Sequence, residues 1–329
     1  MENRYFTYEE FIAKETEKRA LKRTALAIGL SVLVYFAASF ATGYLLSYPT
    51  SLLLKTVTTV EMYDVVYESY IGLCYLIPML LPIIPIVLIV KIPLRVAIPM
   101  RRVPARVAVP GVMAAFSSSV VGIIIASVLL TFFQTIGFAY DVPMPTIPST
   151  EIGKIMYLLI ISVLPAIFEE ILFRGFILQS LRRFGDLYAV IISALIFALY
   201  HGNFNQLPNA FIMGVAIAFL AVRTGSLIPG MILHFINNFA ATAIDIYVLQ
   251  NANEVVSALV NLGYIAVYFI VGIIGIVVLL ATQNGFFTLK KSDSPLTAGE
   301  RIKAFFLQPV SLVGILLMFV FCFTYFVKI

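Results

Sequence analysis

Between Lys154 and Leu181 the chain reads KIMYLLIISVLPAIFEEILFRGFILQSL. The run is almost continuously apolar, yet its interior carries Glu169, Glu170 and Arg174. About 20 apolar residues suffice to cross a bilayer as a helix, so this stretch is long enough to span. Ionisable groups inside a span cost about 2.5–3.5 kcal/mol each on insertion scales and mark a functional site by default. The decision between a soluble core helix and a membrane helix therefore rests on the rest of the chain.

The rest of the chain repeats the pattern. Eight or nine comparable runs occur in the 329 residues, near 24–47, 69–90, 109–134, 154–181, 187–202, 206–223, 227–249, 259–282 and 307–327. The fifth and sixth are short and joined only by Gly202 to Gln206, so they read as two spans or a broken pair. Pro78, Pro82 and Pro85 predict a bend in the second. Composition agrees: 61% of residues are hydrophobic and 12% charged, against roughly 45–50% and about 25% in soluble domains. That excludes an ordinary cytosolic protein, a secreted disulfide scaffold and a disordered chain. The long continuous runs also exclude an outer-membrane barrel, whose strands alternate over short segments. The expected fold is an all-α polytopic bundle.

The formal net charge is +5, but the basic residues sit between apolar runs and report topology rather than nucleic acid. Residues 1–23 hold six Lys and Arg, and 91–108 holds Lys91, Arg95, Arg101, Arg102 and Arg106 without an acid. Arg182 and Arg183, Arg223, and the group Lys290, Lys291, Arg301 and Lys303 fall on the same side under strict alternation. The opposite loops, 48–68 and 135–153, carry Glu61, Asp64, Glu68, Asp141 and Glu151. The expectation is a multi-pass protein of the cell membrane with a cytoplasmic N-terminus.

Thr7 and Glu10 predict a capping box that opens a short amphipathic helix. Its Phe6, Phe11, Ile12 and Leu21 would lie on the membrane surface, or the helix would simply be solvated. The chain then divides into this segment (1–23), N-terminal spans (24–150), a core (151–249) and C-terminal spans (250–329). Cys74 and Cys322 both fall in apolar runs and make neither a disulfide framework nor a metal site.

The two histidines of the chain are His201 and His234. Glu169 lies 16 residues before Gly185 and His201 lies 16 residues after it. At ~1.5 Å per residue, both stand roughly 24 Å from the hairpin turn between them. His234, 11 residues beyond Arg223, is roughly 16 Å from the same end; helix tilt can absorb the difference. Glu170 and Arg174 are four apart and can pair, which leaves Glu169 free. His234 and Asn238 likewise share a face. Phe197 sits one turn before His201 and can wall a pocket, and Pro165 one turn before Glu169 removes a backbone hydrogen bond. A carboxylate and a histidine can take a proton from water. A histidine and an asparagine can donate to a developing oxyanion. These parts suffice for peptide hydrolysis without a covalent intermediate.

The ordered set Glu169-Glu170-x-x-x-Arg174, Phe197-x-x-x-His201, Phe211-x-x-Gly214 and His234-x-x-x-Asn238 resembles the four motifs of the CAAX protease and bacteriocin-processing family, also called the ABI family. That family includes the type II CAAX prenyl endopeptidases. The resemblance covers about 155–245. It implies an intramembrane glutamic-type endopeptidase in which Glu169 and His201 activate water and His234 and Asn238 stabilise the oxyanion. Glu170 and Arg174 would be supporting partners, and Phe197, Phe211 and Gly214 pocket or packing residues. Eukaryotic and archaeal members cut a prenylated C-terminal CAAX segment; many bacterial members act on other substrates or serve bacteriocin self-immunity or peptide export. The expected partners are the bilayer and a lipidated or membrane-associated peptide, with no nucleic acid. No cofactor is expected. The alternatives are a zinc-dependent variant using His201, His234 and Glu169, a non-proteolytic scaffold or regulator, and a transporter.

Overall fold

The computed structural model describes residues 7–142, 146–250 and 252–329. The helices are α1 (Tyr8–Leu54), α2 (Val60–Leu80), α3 (Ile83–Val90), α4 (Ala105–Thr135), α5 (Glu151–Phe184), α6 (Asp186–Tyr200), α7 (Leu207–Thr224), α8 (Ile228–Leu249), α9 (Glu254–Thr282), α10 (Ala298–Phe306) and α11 (Pro309–Cys322). Among the described residues seven helical stretches, with α2 and α3 counted together, are long and apolar enough to cross a membrane, and α10 with α11 makes an eighth. The polytopic helical bundle is thus as the apolar runs predict. The ninth expected span is α6. With 15 residues it reaches about 22 Å, short of the ~30 Å hydrocarbon core.

Three expectations change. The N-terminal segment is no separate helix: α1 runs unbroken for 47 residues. The Thr7–Glu10 capping box starts it, and Ala20, Leu21 and Lys22 supply good helix formers where a break was expected. Leu21 is fully buried rather than on a membrane surface, while Phe11 and Ile12 are exposed; Phe6 lies outside the described residues. The second span starts at Val60 and breaks where Leu81 and Pro82 separate α2 from α3. The last run, expected over 307–327, is helical only over Pro309–Cys322 and is preceded by the short helix α10. α10 and α11 meet at an angle of 80° because Pro309 has no N–H to continue the helix, and the Gln308 side chain caps the new start at Ser311 N–H (2.7 Å). The chain then ends in a strand, Phe326–Lys328 (β2), paired antiparallel with Phe138–Tyr140 (β1).

The basic groups collect at one end of the bundle. Arg301 donates to the Phe184 carbonyl, Arg223 to the carbonyls of Thr288 (2.9 Å) and Gly285 (3.0 Å), and Ser226 to that of Arg101 (2.7 Å). Lys14 of α1 pairs with Glu300 at 3.4 Å. At the other end the ribbon covers the α6–α7 connection: Phe204 packs on Phe133, Tyr140 and Phe326, and its N–H donates to the Tyr140 hydroxyl (2.6 Å). Inside, α5 packs between α2 and α8, and α6 lies against α7.

Candidate active site

The motif carboxylates sit where α5 changes its winding. Glu169 ends the regular α-helical stretch, and Glu170–Ile177 is a π-helical segment. The wider i→i+5 turn reduces the angular step between consecutive residues, so neighbouring side chains diverge less than on an α-helix; such segments are frequent at functional sites. Both glutamates point inward: Glu170 and Arg174 are completely buried and Glu169 is 9% exposed.

Three neighbours offset the burial of Arg174, although its Nε has no hydrogen-bond partner. Its Nη1 donates to Glu170 Oε1 at 3.0 Å and its Nη2 to the Gly214 carbonyl at 3.2 Å. Its guanidinium carbon stands 4.0 Å from the centre of the Phe197 ring. Gly214 is required by this contact. A Cβ there would stand 3.0 Å from the Phe197 ring and 3.3 Å from Ala194.

His234, from α8, joins the two carboxylates. Its Nδ1 is 2.8 Å from Glu170 Oε1 and its Nε2 is 3.7 Å from Glu169 Oε2. With Glu170 ionised, Nδ1 carries the proton and donates, which fixes the ring and turns Nε2 toward Glu169. Glu169 is anchored on its other oxygen by the Tyr75 hydroxyl of α2, which donates to Oε1 at 2.8 Å. Glu169 Oε2 has no hydrogen-bond partner. His201, at the end of α6, is half-buried, and its Nδ1 lies 3.0 Å from the Phe197 carbonyl. A carbonyl only accepts, so Nδ1 donates and the Nε2 lone pair stays free. Phe197 sets both imidazoles edge-to-face, with centroids 4.9 Å from His201 and 5.9 Å from His234.

Asn238 is placed differently from the expectation. Its amide donates to the Ile161 carbonyl at 3.2 Å, and its oxygen accepts from Asn237 at 3.2 Å. Ile161 is four residues before Pro165, which has no N–H to give that carbonyl. Asn238 thus satisfies the acceptor that Pro165 orphans, and ties α8 to α5 beside the carboxylates. Phe211 is half-buried against the core of α7 and makes none of the ring contacts around Phe197. The structure therefore brings Glu169, Glu170, Arg174, His234, Phe197 and Gly214 together, with His201 edge-on to the Phe197 ring beside them.

Tyr75 was not singled out from the sequence. It is one of 17 tyrosines, and nothing in its own span marks it. Two cavities are described, and neither is lined by Glu169, His201, His234 or Asn238. The larger, of about 930 Å³, lies at the basic end of α6, between α6, α7 and the 287–306 region. Among the described residues no three His, Cys, Asp or Glu side chains are grouped to hold a metal ion. In both histidines the engaged nitrogen is Nδ1, held by Glu170 in His234 and by a backbone carbonyl in His201, which leaves Nε2 as the nitrogen that can meet a water or a ligand.

No curated protein and no solved structure is detectably similar to the chain. Residues 151–240, which hold every one of these motif positions, match the family model described as Rce1-like, type II CAAX prenyl endopeptidase Rce1-like, the same family that the four motifs resemble.

Proposed function

We propose that the chain is a glutamic-type intramembrane endopeptidase whose water is activated by Glu169 and His201. The family match supports a CAAX-type membrane protease in general. The observation that carries the finer reading is the asymmetry of the two glutamates. Glu170 Oε1 is committed to Arg174 and His234 and the residue is fully buried, whereas Glu169 accepts only from the neutral Tyr75 hydroxyl and keeps a little exposure; Oε2 of each is without a hydrogen-bond partner.

In this reading a water lies between Glu169 and the free Nε2 of His201. It attacks the carbonyl carbon while one of its protons passes to these groups. A His234 carrying both ring protons donates Nδ1–H to Glu170 and Nε2–H to the oxygen that becomes negative. Asn238 has a second amide N–H beyond the one given to Ile161 and can join it. Collapse of the tetrahedral species breaks the carbon–nitrogen bond, and the stored proton goes to the leaving amine. Glu170 and Arg174 position His234. No step passes through a metal.

The substrate class follows from the family and the setting: a membrane-associated peptide, with a lipidated C-terminal CAAX-like segment as the leading candidate. We further infer that the basic end faces the cytoplasm, since positive loops stay inside. The test compares protein termini by mass spectrometry in membranes carrying wild type or Glu169→Gln, with and without a chelator. Termini present with wild type, insensitive to chelation and absent in the variant are expected. Equal termini in both strains would favour a non-proteolytic scaffold, and chelator-sensitive cleavage a metal enzyme.

A further inference from the structure

A second polar site lies away from Glu169, between the first turns of α2 and the entry to α5. A cavity of about 390 Å³ is lined by Val60, Tyr63, Asp64, Tyr67, Glu68 and residues 146–149. Its acids differ in how they are used. Asp64 Oδ2 accepts from the Thr150 N–H (2.9 Å) and hydroxyl (2.6 Å), which caps α5. Gly153 lets α5 approach this closely, since a Cβ there would stand 2.6 Å from Asp64 Oδ2. Glu68 is 1% exposed, accepts no hydrogen bond from any described residue, and has a buried Oε2 without a partner. An unpaired buried carboxylate is expensive, and among the described residues no Lys, Arg or His lines the cavity to offset it.

The walls indicate what would. Tyr63 and Tyr67 stack with centroids 6.1 Å apart and planes 10° from parallel, and Pro148 and Ile147 close the other side. Carboxylates beside aromatic faces suit an organic cation, attracted by the ring faces as well as by the charge. A dehydrated divalent ion fits less well, because it wants more oxygen ligands than this cavity supplies.

We propose that this cavity binds an alkylammonium group, held by Glu68 and Asp64 against the faces of Tyr63 and Tyr67. Such a group comes from a zwitterionic lipid headgroup or from a soluble amine. The site is separate from the Glu169 cluster and does not rest on the protease reading. The two are nevertheless linked, because Glu68 and Tyr75 lie seven residues apart on α2, or about 10 Å along one face.

The test uses the full chain purified in detergent. In one arm choline chloride is titrated calorimetrically against sodium chloride at equal ionic strength. In the other, native mass spectrometry measures retention of phosphatidylethanolamine and phosphatidylcholine against phosphatidylglycerol. Binding in either arm that falls by about tenfold or more in Glu68→Gln is expected, and several-fold in Tyr67→Leu. Choline binding identifies a soluble amine as sufficient; selective lipid retention alone identifies the headgroup. Glu68→Gln removes a buried acid that has no partner, so the melting temperature of the unliganded variant should not fall; if that variant does not fold, Tyr67→Leu carries the test. No binding in either arm, binding untouched by the working variant, or calcium binding lost in Glu68→Gln in place of choline would overturn the proposal.

Discussion

The contact between Asn238 and Ile161 makes the sharpest prediction, because it separates a structural role from a chemical one. Asn238→Leu keeps the branched four-heavy-atom shape but removes the donor, leaving the Ile161 carbonyl without the partner that Pro165 cannot supply. A buried polar group left unmatched costs about 1–3 kcal/mol. At ~2 °C per kcal/mol for a large domain, the apparent melting temperature in detergent should drop by roughly 2–6 °C. Adding Pro165→Ala restores an N–H four residues after Ile161, so the double variant should regain most of that loss. The four members of the cycle, measured at one scan rate, give the coupling directly. If Asn238 only ties the helices, cleavage returns with stability in the double variant. If it also donates to the oxyanion, the double variant is stable but remains about 10²–10³-fold slower. A single variant as stable as wild type, or a double variant no more stable than the single, would refute the argument that Asn238 answers Pro165.

Three further variants test the surrounding cluster. Arg174→Met leaves Glu170 buried without its cation and should cost about 3–5 kcal/mol, whereas Arg174→Met with Glu170→Gln should recover much of it; thermal unfolding distinguishes the two, with the exposed pair Lys290–Asp293 as a control whose loss leaves the melting temperature unchanged. Tyr75→Phe removes the hydroxyl that holds Glu169; a hydrogen bond to a charged group is worth about 1.5–3 kcal/mol, so peptide cleavage should slow by roughly 10- to 100-fold at near-normal stability. Gly214→Ala drives a methyl to 3.0 Å from the Phe197 ring and should cost about 1–3 kcal/mol, read as lower thermal stability together with lower cleavage.

What the sequence made legible was whatever a single helix encodes. Apolar length announced the spans, and the i,i+4 spacing of Glu170 and Arg174 announced their ion pair. The Thr7–Glu10 spacing announced the first cap, and alternation of basic loops anticipated the end where Arg101, Arg182, Arg223 and Arg301 meet. What needed a second element was not legible. Tyr75 reaches Glu169 from a helix 94 residues earlier, and Asn238 reaches Ile161 across 77. The β ribbon joins Phe138–Tyr140 to the far end of the chain, and neither strand is long enough to show a period of two. The unbroken α1 is illegible for the opposite reason: composition changes from polar to apolar near residue 23, which reads as a boundary, while helix propensity does not change there.

The winding of α5 explains why two adjacent glutamates can belong to one site at all. On a regular α-helix consecutive residues point about 100° apart, and a carboxylate beside a buried one would turn toward lipid or another helix. Here the regular stretch ends at Glu169 and the π segment begins at Glu170, while Pro165 has already removed one rung of the ladder above. Both carboxyl groups then fall within reach of one imidazole, at 2.8 Å from Nδ1 and 3.7 Å from Nε2 of His234. Contacts with other helices brace this irregular segment: Asn238 of α8 bonds the Ile161 carbonyl, Tyr75 of α2 bonds Glu169, and Arg174 of α5 itself bonds Glu170 and the Gly214 carbonyl of α7. The four motifs are therefore one mechanical unit. Phe197 and Gly214 give Arg174 its place, Arg174 and Glu170 give His234 its orientation, and Glu169, held by the neutral Tyr75 hydroxyl and not by a cation, is the carboxylate left to act.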